Sequence, residues 1–95
     1  MDVAEYVESG QYDVALSLLD EGISERMTSM STAVNPSYII SEVQLLEWTK
    51  IQTLLKMREF ERAYEEVAEF RQNAGNYYQN KADKLYKRLK TRLRK

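Results

Sequence analysis

The sequence predicts an all-α chain of antiparallel helical hairpins, about four to five helices in all, and three observations predict it. Helix formers (Leu, Met, Ala, Glu, Lys and Arg) dominate, with one proline and three glycines among 95 residues. Apolar positions recur every three or four residues, and no stretch alternates as a strand would. Finally, a layout returns. Gly10-Gln11-Tyr12-Asp13-Val14-Ala15, followed by Leu19 and Gly22, comes back 48 residues later as Arg58-Glu59-Phe60-Glu61-Arg62-Ala63, followed by Val67 and Phe70. In both copies an aromatic residue opens a helix, and an alanine three positions on lets a neighbouring helix approach closely.

The elements follow in order. Asp2 is placed to cap a short first helix that runs to about Ser9, where Gly10 ends it. The second helix starts near Tyr12 with the stripe Tyr12, Ala15, Leu16, Leu19, Ile23, Met27 and Met30, and frays over the weak helix formers Thr28 to Thr32. Asn35-Pro36 reads as the cap and first residue of a third helix reaching about Met57, since proline has no N–H to leave unsatisfied at that position. The third helix is apolar on more than one side. Ile40, Val43, Trp48, Ile51, Leu54 and Leu55 form its main stripe, Leu46, Ile39 and Met57 a second flank, and Tyr38 with Leu45 a third, so it is the central helix.

A short turn at Arg58-Glu59 leads to a fourth helix with Phe60, Ala63, Tyr64, Val67, Phe70 and Ala74 on one face. Ala74-Gly75-Asn76 reads as a helix end and a restart. The fifth helix, about Asn76 to Arg92, carries the stripe Tyr78, Ala82, Leu85, Tyr86, Leu89 and Leu93, and is basic around the rest. The chain is expected to be a single domain: residues 1–34 a first hairpin with a short first helix, 35–75 a second hairpin, and 76–95 a basic C-terminal helix.

The net charge of −1 hides a strong division. Residues 1–48 hold nine acids against Arg26 alone, a formal −8, and residues 49–95 hold thirteen bases against six acids, a formal +7. Such a dipole acts within a fold, between copies, or toward an outside partner.

Several function classes are disfavoured. Without cysteine there is no disulfide framework, no thiolate chemistry and no Cys-ligated metal, which fits a reducing compartment. Without histidine, a Gly-rich phosphate loop or a nucleophile elbow, acid–base work would fall on Glu, Asp, Lys or Tyr, and the chain is expected not to be an enzyme. No cofactor or metal is implied. Asp20-Glu21-Glu25 and Glu65-Glu66-Glu69 lack both a histidine and the spacing of a calcium loop. The N-terminus is acidic where a secretory signal is basic and then apolar, and no apolar run would span a bilayer, so a cytoplasmic location is expected.

The two repeated stretches resemble the tetratricopeptide repeat family of helical-hairpin proteins. Gly10, Tyr12, Ala15, Leu19 and Gly22 match the second-helix half of that repeat. Phe60, Ala63 and Val67 match its middle three positions, while Arg58 and Phe70 depart from the turn glycine and the small residue. Trp48, Ile51, Gln52 and Leu55 follow the first-helix spacing, with Gln52 in place of the small residue. The 48-residue interval is longer than that family's 34. The resemblance covers roughly residues 3–23 and 45–70 and implies a TPR-like α-solenoid fragment. A short hairpin followed by a longer one also looks like the eukaryotic CTLH-type helical domain, a weaker match. Either likeness implies protein–protein association.

In the repeat family the face corresponding to the third helix receives a partner's helix or peptide. The candidate binding residues are therefore Tyr38, Leu45, Trp48, Gln52, Leu55 and Lys56. Trp48 alone reads first as core, whereas Tyr38, Leu45 and Gln52 fall off the main stripe, and uncovered apolar flanks mark interaction surfaces. On the fifth helix, Lys84, Lys87, Arg88 and Arg94 form a cationic face that reads first as a solvated cap and otherwise as a site for phosphates, acidic lipid or acidic protein. The expected role is a small adaptor or chaperone-like protein, self-association joining its acidic and basic halves. The alternative is a nucleic-acid- or ribosome-associated protein held through the basic helix. Tyr6, Tyr12, Tyr77, Tyr78 and Tyr86 are read as helix-packing residues with wet hydroxyls, and Met27, Met30 and Met57 as core filling.

Overall fold

Gly10 and Arg58 hold the same place in two turns of the same design. After each, the chain bends from one helix into the next with the same pair of backbone bonds. Gly10 N–H donates to the Val7 carbonyl and Gln11 N–H to that of Tyr6, at 3.1 and 2.8 Å. Arg58 N–H donates to the Leu55 carbonyl and Glu59 N–H to that of Leu54, at 3.1 and 2.9 Å. This is the Schellman closure, which satisfies the last carbonyls of a helix and requires a left-handed residue at its end. Gly10 has φ 82° and Arg58 φ 60°. The repeat read from sequence is thus a repeat of turn geometry, even where the second copy has no glycine.

A side chain at a left-handed position is strained by contact of Cβ with the following carbonyl. Arg58→Gly is therefore expected to stabilise the protein by about 0.5–1 kcal/mol, and Gly10→Ala to destabilise it by a similar amount. Thermal melts of both variants check the opposed signs; a destabilised Arg58→Gly would mean that this turn is not under strain.

The computed structural model describes residues 3–30, 36–73 and 76–94, with side chains at 3–29, 37–72 and 78–94. Among these residues there are five helices and no strand: α1 Val3–Glu8, α2 Tyr12–Met30, α3 Pro36–Lys56, α4 Phe60–Asn73 and α5 Asn76–Arg92. The fold is all-α. Asp2, Asn35, Ala74 and Gly75, expected at helix ends, lie outside the described residues. The helix starts and stops otherwise fall within a residue or two of those read from sequence, because Gly10, Pro36 and the Arg58-Glu59 turn each carry a local backbone reason to end or begin a helix.

The chain divides into two compact units, residues 1–53 and 54–95, with the division inside α3. In the first unit α1 packs on α2, and the buried apolar side chains are Ala15, Leu16, Leu19, Ile39, Val43 and Ile51. Helices α2 and α3 run antiparallel. Lys50 Nζ meets Asp20 Oδ1 at 2.8 Å, and Arg26 Nε meets Glu42 Oε2 at 2.9 Å, so partners descend α3 as they climb α2. Between these two ion pairs, a Cβ built at Gly22 would lie 3.4 Å from Leu46 Cδ1, so Leu46 packs over the glycine. Thr53, the one buried polar residue among those described, donates its hydroxyl to the Thr49 carbonyl at 2.9 Å and so leaves no bond unmade.

In the second unit α4 packs on α5 around Leu54, Ala63, Val67, Phe70, Ala82 and Leu89. A ladder of contacts sets their antiparallel register. Phe70 meets the edge of Tyr78 at 5.8 Å, Arg71 pairs with Asp83 at 2.9 Å, Tyr64 stacks on Tyr86 at 5.2 Å, and the Arg92 guanidinium lies 4.1 Å over the Phe60 ring. Aromatic and cation–π pairs of this kind add to burial and fix geometry.

Two positions correct the reading of the stripes. Ile39 is buried, whereas Ile40 is 42 % exposed, so the core line of α3 runs through Ile39, Val43 and Ile51. Met27, read as core filling, is 56 % exposed. The buried stripe of α2 ends at Leu19, beyond which Ile23 is only half-buried.

Candidate functional site

The outer side of α3 is set by helix geometry. Tyr38, Leu45 and Gln52 follow one another at seven-residue intervals, two turns each, and so fall on one line. That line lies opposite Val43 on the helix. Tyr38 is 65 % exposed and Leu45 53 % exposed, and Gln52 is half-buried. Two hydroxyl residues complete the strip, each turned back on its own backbone. Ser41 donates to the Ser37 carbonyl at 3.2 Å and Thr49 to the Leu45 carbonyl at 2.8 Å. With those protons engaged, what the strip offers around Leu45 is chiefly apolar surface. At its edge Glu42 is held by Arg26, whose guanidinium also donates to the Gly22 carbonyl at 3.2 Å.

The other candidates on this helix separate. Trp48 is half-buried at the edge of the strip. Leu55 and Lys56 belong to the second unit, where Lys56 is exposed and Leu55 is half-buried. There Leu55 lines a cleft of about 320 Å³ with Phe60, Leu85, Arg88, Leu89 and Arg92.

The basic residues lie where the wheel puts them. Lys84, Lys87, Arg88 and Arg94 are all exposed. Arg94 stands just past the end of α5 with φ 57°, its N–H bonded to the Thr91 carbonyl, next to the negative end of the helix dipole. Lys87, Arg88, Thr91 and Arg92 surround a shallow surface depression.

Asp83 is the lone acid of α5. Arg71 Nε donates to its Oδ1 at 2.9 Å, and Gln79 Nε2 reaches both carboxylate oxygens at 3.2–3.3 Å. The hydrogen bond from Arg71 and then that from Gln79 hold this carboxyl below its ordinary value of 3.8. Across the same helix pair, the Tyr64 hydroxyl donates to that of Tyr86 at 3.4 Å. The donor loses this bond on ionising, so Tyr64 is raised, whereas the bond supports ionised Tyr86, which is lowered. The Arg71 guanidinium lies 4.2 Å over the Tyr86 ring.

A depressed carboxyl stabilises the fold above its unfolded value and loses that contribution as pH falls through the folded value. Asp83→Asn is accordingly expected to lower the melting temperature near neutrality, the gap to wild type closing below the ordinary carboxylate range. Melts across that acid range check this, and a gap independent of pH would remove Asp83 as its source. Both partners are about one-third exposed, at 33 % and 32 %, so added salt should narrow the gap.

Sequence reading missed two features. Val14 and Leu18, one turn apart on the side of α2 away from Ala15 and Leu19, are exposed; their place off the core stripe is the signal that marks them. The α4–α5 cleft depends on the contact of Phe60 with Arg92, residues far apart in the chain, and no local pattern announces it. Among the described residues no group of three His, Cys, Asp or Glu converges to hold a metal, and no helix is long and apolar enough to cross a membrane. Compared with models of known protein families, with curated proteins and with solved structures, the chain has no match.

Proposed function

We propose that this chain is a protein-interaction module, an adaptor or chaperone-like protein of the tetratricopeptide type, which receives a partner's helix or peptide along the outer face of α3. One observation carries the reading: Tyr38 and Leu45, two large side chains seven residues apart, stand more than half exposed on the side of α3 opposite its core. Heptad spacing of this kind suits a docked helix, whose own apolar side chains would fill the space between the two. Tyrosine and leucine at the centre of such a strip gain from burial, while the ion pair of Glu42 with Arg26 at the edge gives the strip a polar rim. Binding here is burial of apolar surface and needs no cofactor. In a cell this function would be exercised in the cytoplasm.

Leu45→Glu tests it. Because Leu45 is exposed, the variant is expected to keep its helicity and to melt within about 0.5 kcal/mol of wild type. A carboxylate in the middle of the docked surface should weaken partner binding at least about tenfold. Quantitative pulldown from host extract, with wild type and Leu45→Glu side by side, reads the result. Retention of every wild-type partner by the folded variant would move the docking face elsewhere.

A further inference from the structure

The face of α2 that points away from its core and the cleft between α4 and α5 are matched in chemistry and in spacing. On α2, Val14, Leu18, Glu21 and Glu25 recur at steps of four, three and four, which keeps them on one side of the helix. The first two are exposed apolar residues, and the two glutamates make no hydrogen bond or ion pair among the described residues. The cleft on the second unit has an apolar floor, with Leu85 and Leu89 from α5 and Phe60 from α4, and a rim of Arg88 and Arg92 one turn apart. Arg88 is exposed and has no ionic partner among the described residues, and the Arg92 guanidinium is positioned over Phe60.

From Leu18 to Glu21 to Glu25 the steps are three and four, and from Leu85 to Arg88 to Arg92 they are three and four again. Each series spans about 10 Å along its helix axis. Laid parallel, Leu18 falls on Leu85, Glu21 on Arg88 and Glu25 on Arg92. At these three positions apolar meets apolar and carboxylate meets guanidinium; Val14, one turn earlier, falls on Lys81.

From this match we infer that the occupant of the cleft is α2 of a second copy of the chain. The Leu18 side chain enters the cleft, and Glu21 and Glu25 bind Arg88 and Arg92. Charge complementarity singles out this occupant. The acids of the chain are concentrated in its first half and the bases in its second, so a copy carries both the surface and its complement. The two surfaces differ, so copies can join reciprocally as a pair or head to tail, and either arrangement uses the same contact. The inference uses neither Tyr38 nor Leu45 and does not rest on docking at α3.

Light scattering of the full chain across a wide concentration range, at low and moderate salt, tests it. Wild type is expected to rise with concentration above the 11.2 kDa of one chain, and added salt to weaken association about tenfold. Glu21→Arg and Arg88→Glu change exposed residues that have no partner among the described residues, so both should fold, as circular dichroism will verify. Each variant alone places like charges in register and is expected to associate at least about tenfold more weakly. An equimolar mixture restores opposite charges at every contact and is expected to regain the wild-type mass. Leu18→Asp gives an independent loss, and Leu45→Glu should associate as wild type does. A wild type that stays at monomer mass throughout overturns the inference, as does undiminished association of either charge variant or a mixture that stays apart. Labelled RNA or DNA bound by a monomeric wild type and released by Arg88→Glu would overturn it too, giving the basic rim to nucleic acid.

Discussion

Leu54→Ala is expected to remove about 2–5 kcal/mol of stability. Leu54 is wholly buried in the second unit, and its carbonyl accepts the Glu59 N–H that closes the turn into α4. Truncation to alanine loses the transfer energy of three carbons and leaves a cavity that the surrounding helices fill only in part. A chain of 95 residues has about 5–14 kcal/mol of stability in total, so one side chain accounts for a large share. Leu55→Ala is the internal comparison. Leu55 is half-buried at the edge of the cleft, and its truncation leaves no closed cavity. Thermal unfolding followed by loss of helicity reads both. A Leu54→Ala variant no less stable than Leu55→Ala would mean that Leu54 is not part of the core.

Ala63→Leu is expected to cost about 1–3 kcal/mol by the opposite route, overpacking. Ala63 has no exposed surface and stands one turn into α4, where Val67 follows on the same face and is equally buried. A leucine there has no space to enter without pushing the neighbouring backbone away. Ala15, the matching position of the repeat, is also fully buried, so Ala15→Leu should behave alike in the first unit. Ala4 of α1 is exposed, and Ala4→Leu should stay within about 0.5 kcal/mol of wild type. If Ala63→Leu and Ala4→Leu melted together, the repeated alanine would have no role in bringing helices close.

These two alanines show what the sequence made legible. Aromatic, alanine and branched or leucine residues at fixed steps announce a helix that must be approached closely. In both copies the alanine and the residue after it in the pattern (Ala15 and Leu19, Ala63 and Val67) are buried, while the aromatics Tyr12 and Phe60 are half-buried. Turn positions were legible too, since Gly10 and Pro36 limit the backbone by covalent structure alone. Arg58 was legible only by analogy with Gly10. Nothing in an arginine predicts positive φ, and the closing hydrogen bonds hold it there against its intrinsic preference.

The misread positions have physical reasons as well. Ile39 and Ile40 differ by one step of 100°, and in a helix apolar on several sides a wheel cannot tell which of them is buried. Met27 continues the apolar spacing of α2 in the sequence, yet it is 56 % exposed, because spacing alone does not say whether a neighbour covers a position. Of the candidate site, the exposure of Tyr38 and Leu45 was readable because both fall off the core line. The placing of Leu55 and Lys56 with the second unit, and the cleft that Leu55 lines, depend on contacts between residues distant in the chain.

The stacked phenols of the second unit have a practical consequence. Trp48 is the sole tryptophan and lies within residues 1–53, whereas Tyr64 and Tyr86 stack at an interplanar angle of 18° within residues 54–95. Indole emission therefore reports on one half of the molecule, and the near-ultraviolet dichroism of the tyrosine stack on the other. On slow heating, any lag between the two optical signals would time the order in which the halves come apart, with no label added to the protein.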